Sequence, residues 1–378
     1  MTTTSRRPST TGAWREGDPV GRRQFADLGA VELERGAVLP DVRIAYETWG
    51  QLNAAKDNAI LVEHALTGDS HVEGPAGPGH ATPGWWEGLV GPGRPLDTDR
   101  YFVVAANVLG GCQGSTGPSS TAPDGGAWGS RFPFVTVRDQ VQTEALLADT
   151  LGIQRWHLVL GGSMGGMRAL EWAVSHPDRV RGAVVLASTA YATAEQIAWC
   201  QAQLLAIRAD AAFHGGDYYE APDGPEVGLG IARRIAHVTY RSELELHERF
   251  GRAPQGTEEP LGGRGRYAVE SYLDHHAGKL SGRFDANSYL VLTEAMNSHD
   301  VGRGRNGVQA ALERVTGRLV VVAVDSDRLY PPRLSREIVQ AVPGSRLHTV
   351  RSDYGHDGFL IETEQVGRVI RDALDSSA

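Results

Sequence analysis

Apolar and polar positions alternate along residues 31–49 (VELERGAVLPDVRIAYETW) on both sides of an Arg35-Gly36 pair, a period of two that predicts an antiparallel hairpin. Downstream the texture changes to short, continuous apolar runs at residues 59–63, 101–105, 156–160, 183–186, 319–324 and 346–350. Helical periodicity separates several of them, as at 140–150 and 168–175. A strand that is apolar at every position has both faces covered, so this order predicts a mainly parallel sheet with helices on both sides and right-handed crossovers.

Between about Tyr191 and Met296 the strand signal stops, and helical stretches occupy 194–209, 229–240, 268–279 and 286–296. Gly/Pro-rich segments at 215–225 and 253–265 punctuate this region as loops. The strand–helix rhythm then resumes, with Pro331 and Pro332 placed to start a helix through Val342 and a last helix over 362–374. The expected organisation is a disordered tail over 1–24, an α/β core over 25–190, a helical cap inserted over 191–300 and the rest of the core over 301–378.

Composition narrows the function classes. The 378 residues include 37 basic and 46 acidic side chains, a net charge of −9, and 41% are hydrophobic, a globular make-up. A negative chain with scattered arginines lacks the basic stripe that a phosphate backbone requires, so nucleic acid is not an expected partner. Apolar runs of about six residues fall far short of the roughly 18 needed to cross a bilayer, so no membrane span is expected. Cys112 and Cys200 lie 88 positions apart without a second pair, which supports neither a disulfide framework nor a thiolate zinc site and fits a reducing cytoplasm. The first fifteen residues are Ser/Thr/Arg-rich and lack the apolar stretch of a secretory signal.

The chemistry concentrates in Gly161-Gly-Ser163-Met-Gly165, which directly follows one predicted strand and precedes one predicted helix. A Gly-x-Ser-x-Gly run in that setting is a nucleophile elbow: the sharp turn strains the serine backbone, and flanking Cβ atoms would collide with their neighbours. The helix starting at Met164 aims free N–H groups at the site, where they steady a developing oxyanion. A serine needs a base, and in this architecture the chain order is Ser, then Asp or Glu, then His. Asp327 lies just past the strand at 319–324, with Asp325 as its rival, and His356 lies in a glycine-flanked loop past the strand at 346–350. For the other twelve histidines a surface or satisfied-core role is the better reading, with His348 in a strand and His275-His276 on a cap helix. The second oxyanion donor is expected from the loop after an early strand, which makes the Leu66 amide the candidate beside that of Met164. Gly302-x-Gly304-x-x-Gly307 matches a dinucleotide fingerprint by letter but does not follow a strand, a phosphate-binding GxxxxGK[ST] is missing, and His247-Glu248 lacks the second histidine of a zinc protease. No metal or bound cofactor is therefore expected.

The runs His64-Ala-Leu-Thr-Gly-Asp-Ser-His, Asn107-Val-Leu-Gly-Gly-Cys-Gln-Gly-Ser-Thr-Gly-Pro-Ser-Ser, Gly161-Gly-Ser-Met-Gly-Gly-Met, Val238-Thr-Tyr-Arg-Ser, Asp325-Ser-Asp-Arg-Leu-Tyr-Pro-Pro and Tyr354-Gly-His-Asp-Gly-Phe occur in that order. With them the chain, from about Phe25 onward, resembles the homoserine O-acetyltransferase family of α/β-hydrolase-fold enzymes of methionine biosynthesis. The resemblance implies Ser163 as acyl-accepting nucleophile, Asp327 rather than Asp325 as orienting carboxylate and His356 as base. It also implies Arg233 and Asp357 as ligands of the amino-acid substrate, with Tyr240 as a further contact. Charge logic agrees, since a guanidinium holds an α-carboxylate bidentately while a carboxylate holds the α-ammonium. The expected reaction is ping-pong transfer of the acetyl group of the co-substrate acetyl-CoA to L-homoserine, in a homodimer formed through the cap. Rival readings are a succinyl donor, a serine acceptor or a serine esterase using water, and the loop Gly110-Gly-Cys-Gln-Gly is expected to line part of the donor pocket.

Overall fold

In a computed structural model, residues 10–375 are described, with Glu258 and Gly262 excepted. An eight-stranded sheet forms the centre, built from β1 (Gln24–Glu32), β2 (Val38–Trp49), β3 (Ala59–Glu63), β6 (Phe102–Ala106), β7 (Leu158–Gly162), β8 (Gly182–Leu186), β9 (Arg318–Val324) and β10 (Arg346–Val350). A small ribbon of β4 (Val90–Gly91) and β5 (Leu96–Asp97) lies apart from it. The strand order is β1-β2-β6-β3-β7-β8-β9-β10. The β1–β2 hairpin pairs antiparallel around the 33–37 turn, β2 pairs antiparallel with β6, and every later neighbour is parallel. This is the α/β-hydrolase fold.

The inner parallel strands β3, β6, β7, β8 and β9 are mostly apolar because alternate side chains enter different layers, whereas the edge strand β10 (RLHTV) buries only Val350 fully. In β3, Leu61 joins the layer under α1 (Val137–Thr150) and α2 (Met164–Ser175), while Ile60 and Val62 join the layer under α11 (Thr363–Asp375). Between β8 and β9 the chain runs through α3 (Ala194–Arg208), α4 (Glu226–Tyr240), α5 (Glu243–Phe250), α6 (Ala268–Ser281) and α7 (Ala286–Asn297). A third apolar cluster joins this insertion to the core, with Leu204, Ile207, Leu229 and Leu292 packed above Leu66, Met164 and Met167. After it come α8 (Val308–Leu312), α9 (Pro332–Ala341) and the single turn α10 (Gly358–Ile361). No helix among the described residues is long and apolar enough to cross a membrane.

Two features depart from the sequence expectations. Helix α5 was not anticipated, because its ELELHERF sequence buries only Glu245 and so carries no apolar stripe; Ser242 caps it by accepting from the Glu245 N–H at 3.1 Å. The expected disordered tail of 1–24 is corrected over its described part, while residues 1–9 lie outside the described residues. Thr10 and Thr11 are buried, Thr11 Oγ1 donates to Asp285 Oδ1 at 2.7 Å, and the Gly12 and Trp14 N–H groups donate to Phe284 O at 3.1 Å and Cys112 O at 2.9 Å. Hydrogen bonds rather than apolar burial hold this strap, which is why hydrophobic patterning does not reveal it.

One buried charge cluster ties the layers together. Arg168 of α2 is fully buried, with Nη1 at 2.7 Å from both Glu63 Oε2 and Glu144 Oε1, and with Nη2 donating to the His64 carbonyl at 2.6 Å. Trp172 Nε1 donates to the other Glu144 oxygen at 2.9 Å. Burial pushes the Glu63 carboxyl well above its usual range, Arg168 opposes the rise and Glu144 adds to it. Removing the guanidinium leaves buried carboxyl groups uncompensated, which costs about 3–5 kcal/mol. Arg168→Ala is therefore expected to lower stability by about that amount, read from the midpoint of equilibrium urea unfolding.

Candidate active site

The site lies at the carboxyl ends of the parallel strands, where an open α/β sheet places its functional loops. Between β7 and α2, Ser163 has φ 58° and ψ −121°, the strained conformation expected of the elbow. The turn is possible because glycine stands at 161 and 165: an added Cβ would lie 2.6 Å from Glu63 Cβ at Gly161 and 2.1 Å from the Glu63 carbonyl oxygen at Gly165. The Ser163 N–H donates to Leu186 O at 3.0 Å, and Ser188 Oγ donates to the Ser163 carbonyl at 2.8 Å, so both sides of the strained residue are anchored to β8 and its following loop.

The loops after β9 and β10 supply the other two members. Asp325 accepts from the Ser352 N–H at 3.0 Å, and Ser326 Oγ bonds to the Ser352 carbonyl and accepts from the Gly355 N–H at 3.0 Å. These bonds sew the loops together and bring Asp327 Oδ2 to 2.7 Å from His356 Nδ1. Asp327 Oδ1 accepts from the N–H groups of Leu329 and Tyr330 at 2.9 and 2.8 Å, fixing the carboxylate. Asp325 is thus the stitch and Asp327 the carboxylate that pairs with His356. Gly355 has φ 68°, and a Cβ there would meet Tyr240 O and Ser242 N of the cap at 2.7 Å, so glycine is required on both counts.

His356 is 3% exposed. Burial alone would lower its pKa, but the Asp327 carboxylate outweighs this and the net shift is upward from 6.5. His356 Nε2 is buried with no hydrogen-bond partner among the described residues, which leaves it free for a proton from a nucleophile or acceptor. Tyr330, which sequence reasoning missed, stacks on the His356 ring with centroids 4.9 Å apart. Burial pushes its phenol well above the usual range, while Ser163 pulls the other way.

Neither the Leu66 nor the Met164 N–H has a hydrogen-bond partner among the described residues. Leu66 and Ser163 line the same cavity of about 30 Å³, together with Met167, Trp199, Cys200, Met296, Leu329 and Tyr330. The Gly110–Gly114 loop expected to border this cavity does not: Gly110 packs under Val291, Cys112 is buried, and Gln113 donates to Arg283 O at 2.8 Å. Its glycines allow close packing beneath α7 rather than an opening.

On the cap side, Arg233 Nη1 donates to Thr67 Oγ1 at 3.2 Å, its guanidinium lies 5.8 Å from the Tyr240 ring centre, and its Nε is buried without a partner among the described residues. Tyr240 in turn lies 5.7 Å from the His356 ring, and burial pushes its phenol to about 12. Asp357 accepts from Arg241 Nη1 at 3.3 Å; burial raises its pKa, opposed by His356, Arg241 and Arg233. The structure therefore brings the expected residues into one neighbourhood and adds two that were missed, Thr67 and Arg241. Arg241 is held by Glu245 through bonds of 2.7 and 3.1 Å. Its only sequence signal was membership of the Val238-Thr-Tyr-Arg-Ser run.

A second cluster, Glu47, His71 and His80, has its ligand-type atoms within 4.8 Å. Its imidazoles stack with centroids 3.8 Å apart and planes 12° from parallel. Glu47 is already bonded by Ser70 Oγ at 2.8 Å and His71 Nδ1 at 3.1 Å, and His80 Nε2 accepts from the Arg22 N–H at 3.0 Å. These bonds join the three side chains into one buried network.

Residues 58–363 match the family profile described as alpha/beta hydrolase fold. A homoserine O-acetyltransferase of Thermobifida fusca (strain YX) is 62% identical over 367 residues, covering 96% of this chain and 97% of the relative. Among solved structures, a homoserine O-acetyltransferase from Bacillus anthracis superposes with a TM-score of 0.86 at 27% identity, over 93% of this chain and 97% of that one. Esterase E22 superposes with a TM-score of 0.85 at 26% identity, over 93% and 99%. The overall shape is thus shared with a hydrolase, while the near-full-length likeness in sequence is to the transferase. On that likeness the chain belongs to the homoserine O-acetyltransferase family of α/β-hydrolase-fold proteins.

Proposed function

We propose that this protein transfers an acetyl group from acetyl-CoA to the side-chain hydroxyl of L-homoserine through an acetyl-Ser163 intermediate. The observation that carries the proposal is the meeting of an elbow serine and an Asp327–His356 pair with the cap's Arg233 and Asp357. In the first half-reaction Ser163 Oγ attacks the thioester carbonyl while His356 Nε2 takes its proton. The Leu66 and Met164 amides hold the oxyanion, the C–S bond breaks, and His356 returns the proton to the CoA thiolate. Homoserine then binds with its carboxylate on Arg233 and its ammonium on Asp357. His356 deprotonates its hydroxyl, which attacks the acetyl carbon, and the proton returns to Ser163.

The cavity beside Ser163 supports the acetyl donor. Its lining contains neither Arg nor Lys to neutralise the carboxylate of a succinyl chain. The hydrolase reading remains the rival, and homoserine dependence separates the two.

We also infer a homodimer formed through the cap. On α4, Val227, Ile231 and Val238 expose 69%, 43% and 40% of their surface along one helical face, and Leu205 of α3 exposes 55%. Cys112 and Cys200 are both unpaired, which supports a reducing cytoplasm as the place of action.

Free-thiol release from acetyl-CoA is expected to require L-homoserine and Ser163, and Ser163→Ala is expected to abolish it. In the same assay Arg233→Met raises KM for homoserine about 10- to 100-fold while leaving KM for acetyl-CoA nearly unchanged. Only neutral His356 takes a proton, so the acylation rate rises with pH through a pKa above 6.5 and is lost as pH falls below it. Asp327→Asn moves that inflection downward and lowers the plateau roughly 10³- to 10⁴-fold, as read from a pH–rate profile. Sedimentation velocity at micromolar concentration is expected to give a dimer, and Ile231→Glu a monomer.

A further inference from the structure

We infer that His64 is a positioning residue of the oxyanion hole, its Nδ1–H setting the plane of the Ala65–Leu66 peptide so that the Leu66 N–H faces the reacting carbonyl. The inference rests on the reading of Ser163 as the acylated residue. It begins with the turn Ala65-Leu66-Thr67-Gly68, closed by a bond from the Gly68 N–H to the Ala65 carbonyl at 2.9 Å. In a β-turn the second residue's N–H stays outside the closing bond. Here that N–H belongs to Leu66, which lines the Ser163 cavity and has no backbone partner among the described residues.

A trans peptide is planar, with its C=O and N–H pointing in opposite directions, so a group that fixes the Ala65 carbonyl also aims the Leu66 N–H. Two groups fix it: Gly68 N–H, and His64 Nδ1 at 2.8 Å. At the other side of the ring, His64 Nε2 is 3.1 Å from the Val108 N–H. A backbone N–H only donates and a carbonyl only accepts, so Nε2 carries the lone pair and Nδ1 the proton. The tautomer is dictated by the neighbours. Burial pushes the imidazole pKa down to about 3, and the Arg168 and Arg283 charges act in the same direction, so the ring stays neutral wherever His356 works.

The block is held on its other sides as well. Arg168 of α2 donates to the His64 carbonyl at 2.6 Å, which fixes the Leu66 loop against the helix whose first amide is the other oxyanion donor. Arg233 and Arg283 bond to the Thr67 hydroxyl and carbonyl, linking the same turn to the substrate side of the cap. A histidine serving only as filler would need neither nitrogen in a defined bond, and any aromatic ring would replace it.

The test uses the two amides that each reproduce one ring nitrogen. Asn places its N–H₂ where Nδ1 stands and keeps the donor to Ala65. Gln reaches the Nε2 position and keeps only the acceptor for Val108. Acetylation of Ser163 by p-nitrophenyl acetate is followed as the pre-steady-state burst of p-nitrophenolate, with Ser163→Ala as control and unfolding midpoints measured in parallel. His64→Gln is expected to slow the burst about 10- to 100-fold with KM for the ester little changed, and His64→Asn to run at least about tenfold faster than His64→Gln. In a Leu66→Pro chain, which lacks the N–H, His64→Gln is expected to slow the burst no further. Equal burst rates for the two amide variants, or an undiminished effect of His64→Gln in the Leu66→Pro chain, would overturn the inference. A parental burst that persists in Ser163→Ala would instead overturn the reading of Ser163.

Discussion

The fully buried Arg168 guanidinium is the constraint on which the site's geometry depends. It sits five residues after the nucleophile on the same helix, yet its partners are the last residue of β3, a glutamate of α1 and the carbonyl of His64. A charge removed from water depends on the partners it has, so a shift of the helix against the strand would break the contacts of Nη1 with the two glutamates or of Nη2 with the His64 carbonyl. The elbow and the turn that follows β3 are consequently parts of one rigid body. That matters because an oxyanion hole assembled from two separate segments works only when both donors keep their distance from the attacking oxygen.

The remaining chemistry is added to this body from loops that are themselves cross-linked. Asp325, Ser326 and Ser352 join the ends of β9 and β10 and so settle how far the orienting carboxylate lies from the imidazole. The cap enters through Arg233 in the middle of α4, Tyr240 at its carboxyl end and Arg241 just past it. On the proposed mechanism the core supplies acyl chemistry common to hydrolases together with Asp357, and the insertion supplies Arg233 and the Arg241 that bonds Asp357. This division explains how one backbone shape is shared with an esterase.

Much of this was legible in the residues. Five apolar runs located the inner parallel strands because a strand buried on both faces has no choice but to be apolar, the edge strand β10 showed only Leu347 and Val350, and Ser163 was legible because only glycines at 161 and 165 permit the turn. Asp327 could be separated from Asp325 only by resemblance, since the two differ in which loop atoms they meet rather than in spacing. His64 looked like an ordinary core histidine, and by burial it is one; what sets it apart is the identity of the two backbone groups at its nitrogens, which no one-dimensional pattern records. Tyr330, Thr67 and Arg241 were missed for the same reason. The strap at residues 10–14 escaped because its packing is polar, and the Gly110–Gly114 loop was misplaced because a glycine run signals close approach without saying to what.

That strap has an evolutionary consequence. Thr11 shares Asp285 with Tyr218 and Tyr219, so one carboxylate at the start of α7 gathers the residue-10 strap and the Tyr218-Tyr219 segment of the cap. The next residues fasten to Phe284 and to Cys112 of the core. Cap helices and amino-terminal strap thus form a single unit of inheritance although some 200 positions separate them in sequence. A recombination event that exchanged the insertion alone would carry off one half of a joint and strand the other, which makes the lid of this fold less portable than its position between two strands suggests.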